Sequence, residues 1–329
     1  MSFSILSACP VALILLVAGP ILADDFAWPK KTYTYKTVDE TKIQADFYRP
    51  DDQVIRPLVV WIHGGALIIG HRDSIPGHIR EFCQKEGFAC LTIDYRLAPE
   101  VKLRAIIEDL RDAFRWIRAS AGNELRINPD KIAVVGGSAG GYLTLMTGIV
   151  VKPAPTVLVS YYGYGDVDGD WYKRHSQHYR TTVPLVAEAL ARAAVGKEVL
   201  TGTDNKNPAH QGRSSYYLYL RQNGLWTEEV TGFDPNTQKE QLDPYCPVRQ
   251  ISSSYPPTLL IHGTADTDVP YELSVDMDRA LTQHNIPHEL FTVPNGNHGL
   301  SRRNTTADPA VIDNAHARAA EFIRAALTK

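Results

Sequence analysis

The sequence predicts an α/β fold with a mainly parallel central sheet flanked by helices, and three observations lead there. Short runs that are apolar on both faces recur along the chain: "PLVVWI" (57–62), "FACLTIDY" (88–95), "KIAVVG" (131–136), "TVLVSYY" (156–162), "PTLLIHG" (257–263) and "HELFTVP" (288–294). Strands of this kind are the central parallel strands of sheets covered by helices on both sides. Segments with helical spacing lie between them, and such alternation marks the α/β class. Glycine-rich turns follow two of the runs, "HGG" at 63–65 and "GGSAGG" at 136–141, where open α/β sheets build their sites.

The first 23 residues carry no charge, and the apolar run 11–18 is followed by Gly19, Pro20 and Ala23 before Asp24 and Asp25. This pattern reads as a cleavable secretory signal, so a secreted or extracytoplasmic protein is expected, although no Lys or Arg precedes the run. Pro10 and the Gly19-Pro20 pair interrupt the run at both ends, so no stable membrane span is expected. "LSAC" (6–9) imitates a lipidation box, but its apolar run follows the cysteine. The rest, 24–329, reads as a single domain with a lid-like insertion.

"YTYKTVD" and "KIQADFYRP" alternate at period two and predict a hairpin of half-buried strands at a sheet edge. Helices are predicted over 75–86 and over 106–119, where Ile107, Leu110, Phe114 and Ile117 share a face. An amphipathic helix follows over 142–150. From about 163 to 254 the rhythm breaks into a segment rich in Tyr, Asp, Gly and Pro, with one helical stretch near 183–195. It reads as an insertion above the sheet, and long irregular segments often serve function.

Composition narrows the partners. Of 329 residues 44% are hydrophobic, enough for a substantial core, and 34 basic against 37 acidic residues leave a net charge of −3. No basic field for nucleic acid results, and a small-molecule substrate is expected. No cofactor or metal is expected either. No G-x-G-x-x-G or G-K-[ST] cradle occurs, and the calcium-like run Asp166, Asp168, Asp170 has Trp171 where that loop needs glycine and Gln177 where it needs glutamate. With Cys9 in the leader, Cys83, Cys90 and Cys246 remain; they read as buried thiols, with a Cys83–Cys90 bridge as the alternative in an oxidising compartment. Asn304-Thr305-Thr306 is a glycosylation acceptor if a eukaryotic cell secretes the chain.

The chemistry concentrates in four places. Gly136-Gly137-Ser138-Ala139-Gly140 fits G-x-S-x-G between an apolar strand and a helix, the turn that presents a serine Oγ at the top of a sheet. The helix starting there favours developing negative charge. His63-Gly64-Gly65 ends another core strand, where backbone N–H groups can point at an oxyanion. A serine needs a base and the base an orienting carboxylate, and at this kind of elbow they follow in the order acid, then histidine. Asp266 and His298 fill these roles, each just past a core strand. Asp268, His262, His284 and His288 are the rivals: His262 packs or bonds locally, while His284 and His288 flank a turn and face solvent. The aromatic stretch 161–180 either walls an acyl or aromatic pocket or packs as a surface loop.

On these residues the chain resembles the α/β-hydrolase superfamily and, within it, the hormone-sensitive-lipase-like and related carboxylesterases. The matching pieces are "HGGA" followed by "IIG", "DYRLAPE" (94–100), "GGSAGG", "HGTADTDVP" and "GNHG", in that order over 57–299. The resemblance implies an α/β-hydrolase fold and a serine esterase acting on short-acyl or aromatic-acyl esters. It implies Ser138 as nucleophile, His298 as general base and then acid, and Asp266 as its orienter. It also implies an oxyanion hole from the N–H groups of Gly65, Ala66 and Ala139, with Gly64 setting the loop. The sequence departs from the family pattern at Ala66, where the family has a third glycine, and at Gly137, where it often has Asp. A prolyl-oligopeptidase-like peptidase and a non-catalytic ligand-binding homologue are the alternatives. No propeller-sized segment precedes Lys30, and no triad member is missing.

Overall fold

The computed structural model describes residues 28–196, 198–204, 207–303 and 305–329. The expected signal sequence, Cys9 and the Asn304 acceptor lie outside the described residues. Eight strands form one sheet: β1 (Lys30–Val38), β2 (Thr41–Tyr48), β3 (Arg56–Ile62), β4 (Ala89–Ile93), β5 (Ile127–Gly137), β6 (Val157–Tyr161), β7 (Thr258–Gly263) and β8 (His288–Val293). Their spatial order is β1-β2-β4-β3-β5-β6-β7-β8. The predicted hairpin β1–β2 occupies one edge and joins β4 antiparallel, while every pairing from β4 to β8 is parallel.

Both faces of the central strands are apolar because both are covered. On β3, Leu58, Val60 and Ile62 face one core cluster, and Val59 and Trp61 face the other. The first core lies against α2 (Leu103–Ala119) and α3 (Ala139–Val150), the second against α1 (Gly77–Glu86) and α13 (Pro309–Leu327). Helix α1 ends at Gly87 in the left-handed conformation (φ 70°), with the cap N–H returned to the Cys83 and Gln84 carbonyls. Helix α2 buries Ile106, Ile107, Leu110, Phe114 and Ile117 and starts at Leu103, itself buried, rather than at 106.

Three expectations need correction. Helix α3 begins at Ala139, directly after the serine, and is not amphipathic: Ala139 to Gly148 are all buried, since it runs between the sheet and the insertion. Strand β8 is an outer strand, half-buried over most of its length, because it pairs with β7 alone. In the insertion, the stretch 183–195 forms only the five-residue helix α6 (Glu188–Arg192).

The other helices of the insertion are α4 (Asp170–Lys173), α5 (Gln177–Thr182), α7 (Pro208–Gln211), α8 (Arg213–Asn223), α9 (Trp226–Thr231), α10 (Lys239–Leu242) and α11 (Pro247–Gln250). The longest, α8, carries buried Tyr216, Tyr217, Leu218 and Leu220 and so shows no clean apolar stripe. Helix α12 (Glu272–Gln283) follows β7. The insertion lies between β6 and β7 at the carboxyl end of the sheet, and its Tyr164, Tyr172, Tyr216 and Trp226 belong to the same continuous core as Leu58 and Val60.

Cys83, Cys90 and Cys246 are buried free thiols. Asp166 accepts from Gly169 N–H and Trp171 Nε1, Asp168 pairs with Arg249, and Asp170 pairs with Lys173 and Arg174. Among the described residues no helix is long and apolar enough to cross a membrane.

Candidate active site

The turn from β5 into α3 places Ser138 at φ 57°, ψ −123°, a conformation that L-residues rarely adopt and that persists only where surrounding structure enforces it. Here the Ser138 N–H donates to the Tyr161 carbonyl at 2.9 Å, and the Ser138 carbonyl accepts from Tyr142 N–H at 3.0 Å. The residue before it is Gly137 for a local reason: an added Cβ would meet the Tyr162 hydroxyl at 2.9 Å. Tyr162 therefore occupies the space that a side chain at 137 would enter.

The structure brings Ser138, His298 and Asp266 together. The Ser138 hydroxyl meets His298 Nε2 at 3.1 Å, and His298 Nδ1–H donates to Asp266 Oδ2 at 2.7 Å. Asp266 is fully buried, and its Oδ1 accepts from the N–H groups of Asp268 and Val269 at 2.9 Å each. Burial alone would raise its carboxyl. The charge of His298 and the hydrogen bonds from His262 and His298 outweigh that and hold it well below the usual carboxylate range.

For His298, burial works against the charged form, but the charge and hydrogen bond of Asp266 and the charge of Asp268 push the imidazole up to about 9. The edge of Tyr162 packs on its ring at 5.0 Å. An imidazole gripped by a carboxylate on one nitrogen and a hydroxyl on the other can draw the proton from that hydroxyl.

Among the rivals, Asp268 is not bonded to His298 Nδ1; its Oδ2 stands 3.6 Å from Nε2. His262 packs locally, as expected, but it also touches the site. Its Nε2 faces only acceptors, Asp266 Oδ2 at 3.2 Å and the Val269 carbonyl at 3.0 Å, so that nitrogen carries the proton, and Nδ1 accepts from Ser274 at 2.7 Å. His284 is exposed, whereas His288 is half-buried with Nδ1 bonded to the Ile286 carbonyl.

The His63-Gly64-Gly65-Ala66 turn lies against the serine elbow. A Cβ on Gly64 would come within 2.7 Å of the Gly137 carbonyl and 3.2 Å of Ser138 Cβ, so only glycine permits this approach. Ala66 and Leu67 both have positive φ, 56° and 62°. Ala139 is the first residue of α3, where helix N–H groups lack intrahelical partners. Gly65, Ala66 and Ala139 are the positions whose N–H groups are expected to serve an oxyanion, with Gly64 setting the loop.

What holds this turn was not legible in the sequence. Trp226 Nε1 donates to the Ala66 carbonyl at 3.1 Å, and Arg213 Nε donates to the Ile68 carbonyl at 2.8 Å. Arg213 also bonds the Ala98 carbonyl and grips Glu100 through both oxygens, at 2.8 and 2.9 Å. The "DYRLAPE" stretch thus has a structural purpose. Its Tyr95 stacks on His63 at 4.3 Å and donates to the His63 carbonyl, Arg96 pairs with Asp109, and Ala98 and Glu100 receive Arg213. Burial lowers the His63 imidazole to about 3, and its Nδ1 donates to the Gly64 carbonyl.

The first aromatics of the stretch are interior, whereas Arg174, His175, Gln177 and Arg180 further along it are exposed. Tyr161, Tyr164 and Tyr172 are at most 2% exposed. Tyr172 stacks between Trp171 and Trp226 at 3.5 and 3.6 Å, and Tyr164 stacks on Tyr142. Only Tyr162 reaches the imidazole.

Three comparisons place this architecture. The BD-FAE family model matches residues 45–281. Carboxylic ester hydrolase LipN of Mycobacterium tuberculosis is 30% identical over 56% of this chain and 57% of its own length. The non-reducing polyketide synthase atr1 of Stereocaulon alpinum is 25% identical over 82% of this chain, which spans only 12% of that relative. A structure of Thermogutta terrifontis esterase 2 phosphoramylated by tabun superposes with a TM-score of 0.60 at 21% identity, over 89% of this chain and 93% of that one. The sheet, its helices and the family match agree: the chain belongs to the BD-FAE family and has the α/β-hydrolase fold.

Proposed function

We propose that the protein is a serine carboxylic-ester hydrolase. The observation that carries the reading is the unbroken line Ser138–His298–Asp266, with contacts of 3.1 and 2.7 Å. His298 Nε2 takes the Ser138 proton as Oγ attacks the ester carbonyl. The N–H groups of Gly65, Ala66 and Ala139 then receive the charge of the tetrahedral intermediate, and the imidazolium returns its proton to the departing alcohol. Water, activated by the same imidazole, releases the acyl group and regenerates the serine. Asp266 stays ionised throughout and keeps Nδ1 protonated, and the reaction draws on no cofactor.

LipN and the Thermogutta esterase support the ester as substrate through their names. Short acyl groups suit the site better than bulky aromatic ones, because the rings of the insertion are taken up by stacking on one another. With the apolar run at 11–18, this supports the reading of an extracytoplasmic short-acyl esterase.

Wild type and Ser138→Ala are to be compared on p-nitrophenyl acetate and butyrate, a feruloyl ester and a peptide amide. Loss of about 1,000-fold or more of the rate on the short esters is expected from Ser138→Ala. Equal rates for the two proteins would sink the reading, and a preference for the amide would move it to a peptidase.

A further inference from the structure

Asp268, two residues beyond the triad carboxylate, sets a second carboxylate on the other side of the imidazole. Its Oδ2 lies 3.6 Å from His298 Nε2, the nitrogen that also meets Ser138. Its Oδ1 is already engaged: Tyr217 donates its hydroxyl at 2.5 Å and Arg221 Nη1 at 2.5 Å, while Arg221 Nη2 bonds the Asp268 carbonyl at 3.0 Å. Arg221 is 3% exposed, and Trp171, Tyr172, Tyr179 and Tyr217 ring its guanidinium with centroids 5.0 to 5.7 Å away. A cation confined in this way fixes the carboxylate it holds. Oδ2 is left as the oxygen that faces the imidazole.

Building on the reading of His298 as the base, we propose that Asp268 is a positioning residue for that imidazole. It acts on the ring by charge from the Nε2 side, while Asp266 grips it by a hydrogen bond at Nδ1, and Arg221 of the insertion sets where the second carboxylate points. The charges around the ring show what this does. With His298 neutral, Asp266, Asp268 and Arg221 sum to −1; when it takes the serine proton the four groups sum to zero.

The groups facing the ring are Asp266 and Asp268 from the loop after β7, Arg221 from α8, Ser138 from the elbow and Tyr162 after β6. Tyr217 bonds Asp268, and Tyr179 lies near it. Asp266 and Asp268 favour the imidazolium and Arg221 opposes it. The insertion thus tunes the base through a residue that never touches it.

The test is the pH dependence of kcat/KM on p-nitrophenyl acetate. Asp268→Asn keeps the shape and the Oδ1 contacts but removes the charge, and the acid limb is expected to move down by about one pH unit or more. Tyr217→Phe takes one donor from Oδ1, leaves the carboxylate more available to the ring, and is expected to move the limb up by less. Opposite movements separate positioning from a merely structural role, which would lower the rate and leave the limb in place.

A limb unmoved in a folded Asp268→Asn protein, checked by near-UV circular dichroism, overturns the proposal. If that variant does not fold, Tyr217→Phe decides by the same reading: an upward move supports the proposal and an unmoved limb overturns it. Ser138→Ala in the same assay keeps the two readings apart. An inactive Ser138→Ala beside an unmoved limb removes only the role of Asp268, whereas an active Ser138→Ala removes the base on which both rest.

Discussion

Trp226 donates its indole N–H to the carbonyl of Ala66 at 3.1 Å, joining the insertion to the turn beside Ser138. Ala66 and Leu67 both sit at positive φ, a cost of roughly 1 to 2 kcal/mol per residue that must be offset by what surrounds them. Trp226→Phe keeps an aromatic ring and deletes the donor, so the turn is expected to relax. Because losing a whole oxyanion donor costs about 100- to 1000-fold, an indirect displacement should lower kcat about 10-fold. KM should change little, since oxyanion donors of the kind proposed act in the transition state. A rise in KM at constant kcat would show that Trp226 serves substrate binding instead.

With His298 as the proposed base, activity is expected to be alkaline. Its folded pKa is raised to about 9, so below that value the ring is protonated and cannot accept the serine proton. Thus kcat/KM should climb tenfold per pH unit from neutrality and level off above about 9, leaving about 100-fold less activity at pH 7 than on the plateau. Steady-state rates from pH 6 to 10 check this, and a plateau already reached at pH 7 would contradict it.

Asp266 should be far less replaceable than Asp268. Asp266→Asn removes the acceptor that keeps His298 Nδ1 protonated and holds the ring in the tautomer that leaves Nε2 free. A loss of roughly 10,000-fold in kcat is expected from analogous triads. Single-turnover acylation of the variant measures it, and a loss of only about 10-fold would point to Asp268 as a substitute acid.

Acid should weaken the fold through a half-buried pair far from the serine. His78 of α1 and His316 of α13 stack at 3.8 Å, and His78 Nε2 and His316 Nδ1 have no hydrogen-bond partner among the described residues. Burial lowers both, His78 to about 3. Their unfolded values lie near 6.5, so the unfolded chain binds protons that the folded one refuses as pH falls. The stability they contribute is whole above about 6.5 and is lost as pH drops from there towards 3. Melting curves from pH 7 to 4 should show His78→Leu with a shallower decline than wild type; parallel declines would remove the pair as the cause.

Much of this was written in local pattern. The six apolar runs are central strands or the outer β8, the alternating pair is the edge hairpin, and Ser138, Asp266 and His298 meet within hydrogen-bond reach. These were legible because each depends on a short segment: a strand's period, a glycine elbow, a side chain just past a strand end.

The insertion resisted the same reading. Helix α8 is built around tyrosines buried on more than one face, so it carries no amphipathic stripe, and the stretch 183–195 that did look helical forms only five residues of helix. Residues near in sequence could not reveal that Trp226 and Arg213 hold the carbonyls of Ala66 and Ile68, nor that Arg221 fixes Asp268 beside the imidazole.

The sequence by itself therefore determined the layers, the elbow and which three side chains, Ser138, His298 and Asp266, would come within reach of one another. Only the tertiary structure decided how Asp266 and Asp268 divide the two sides of one imidazole and how the insertion holds the turn at Ala66. Those relations join groups from thirty to 160 residues apart, and they arise from burial and donor geometry that no local period encodes.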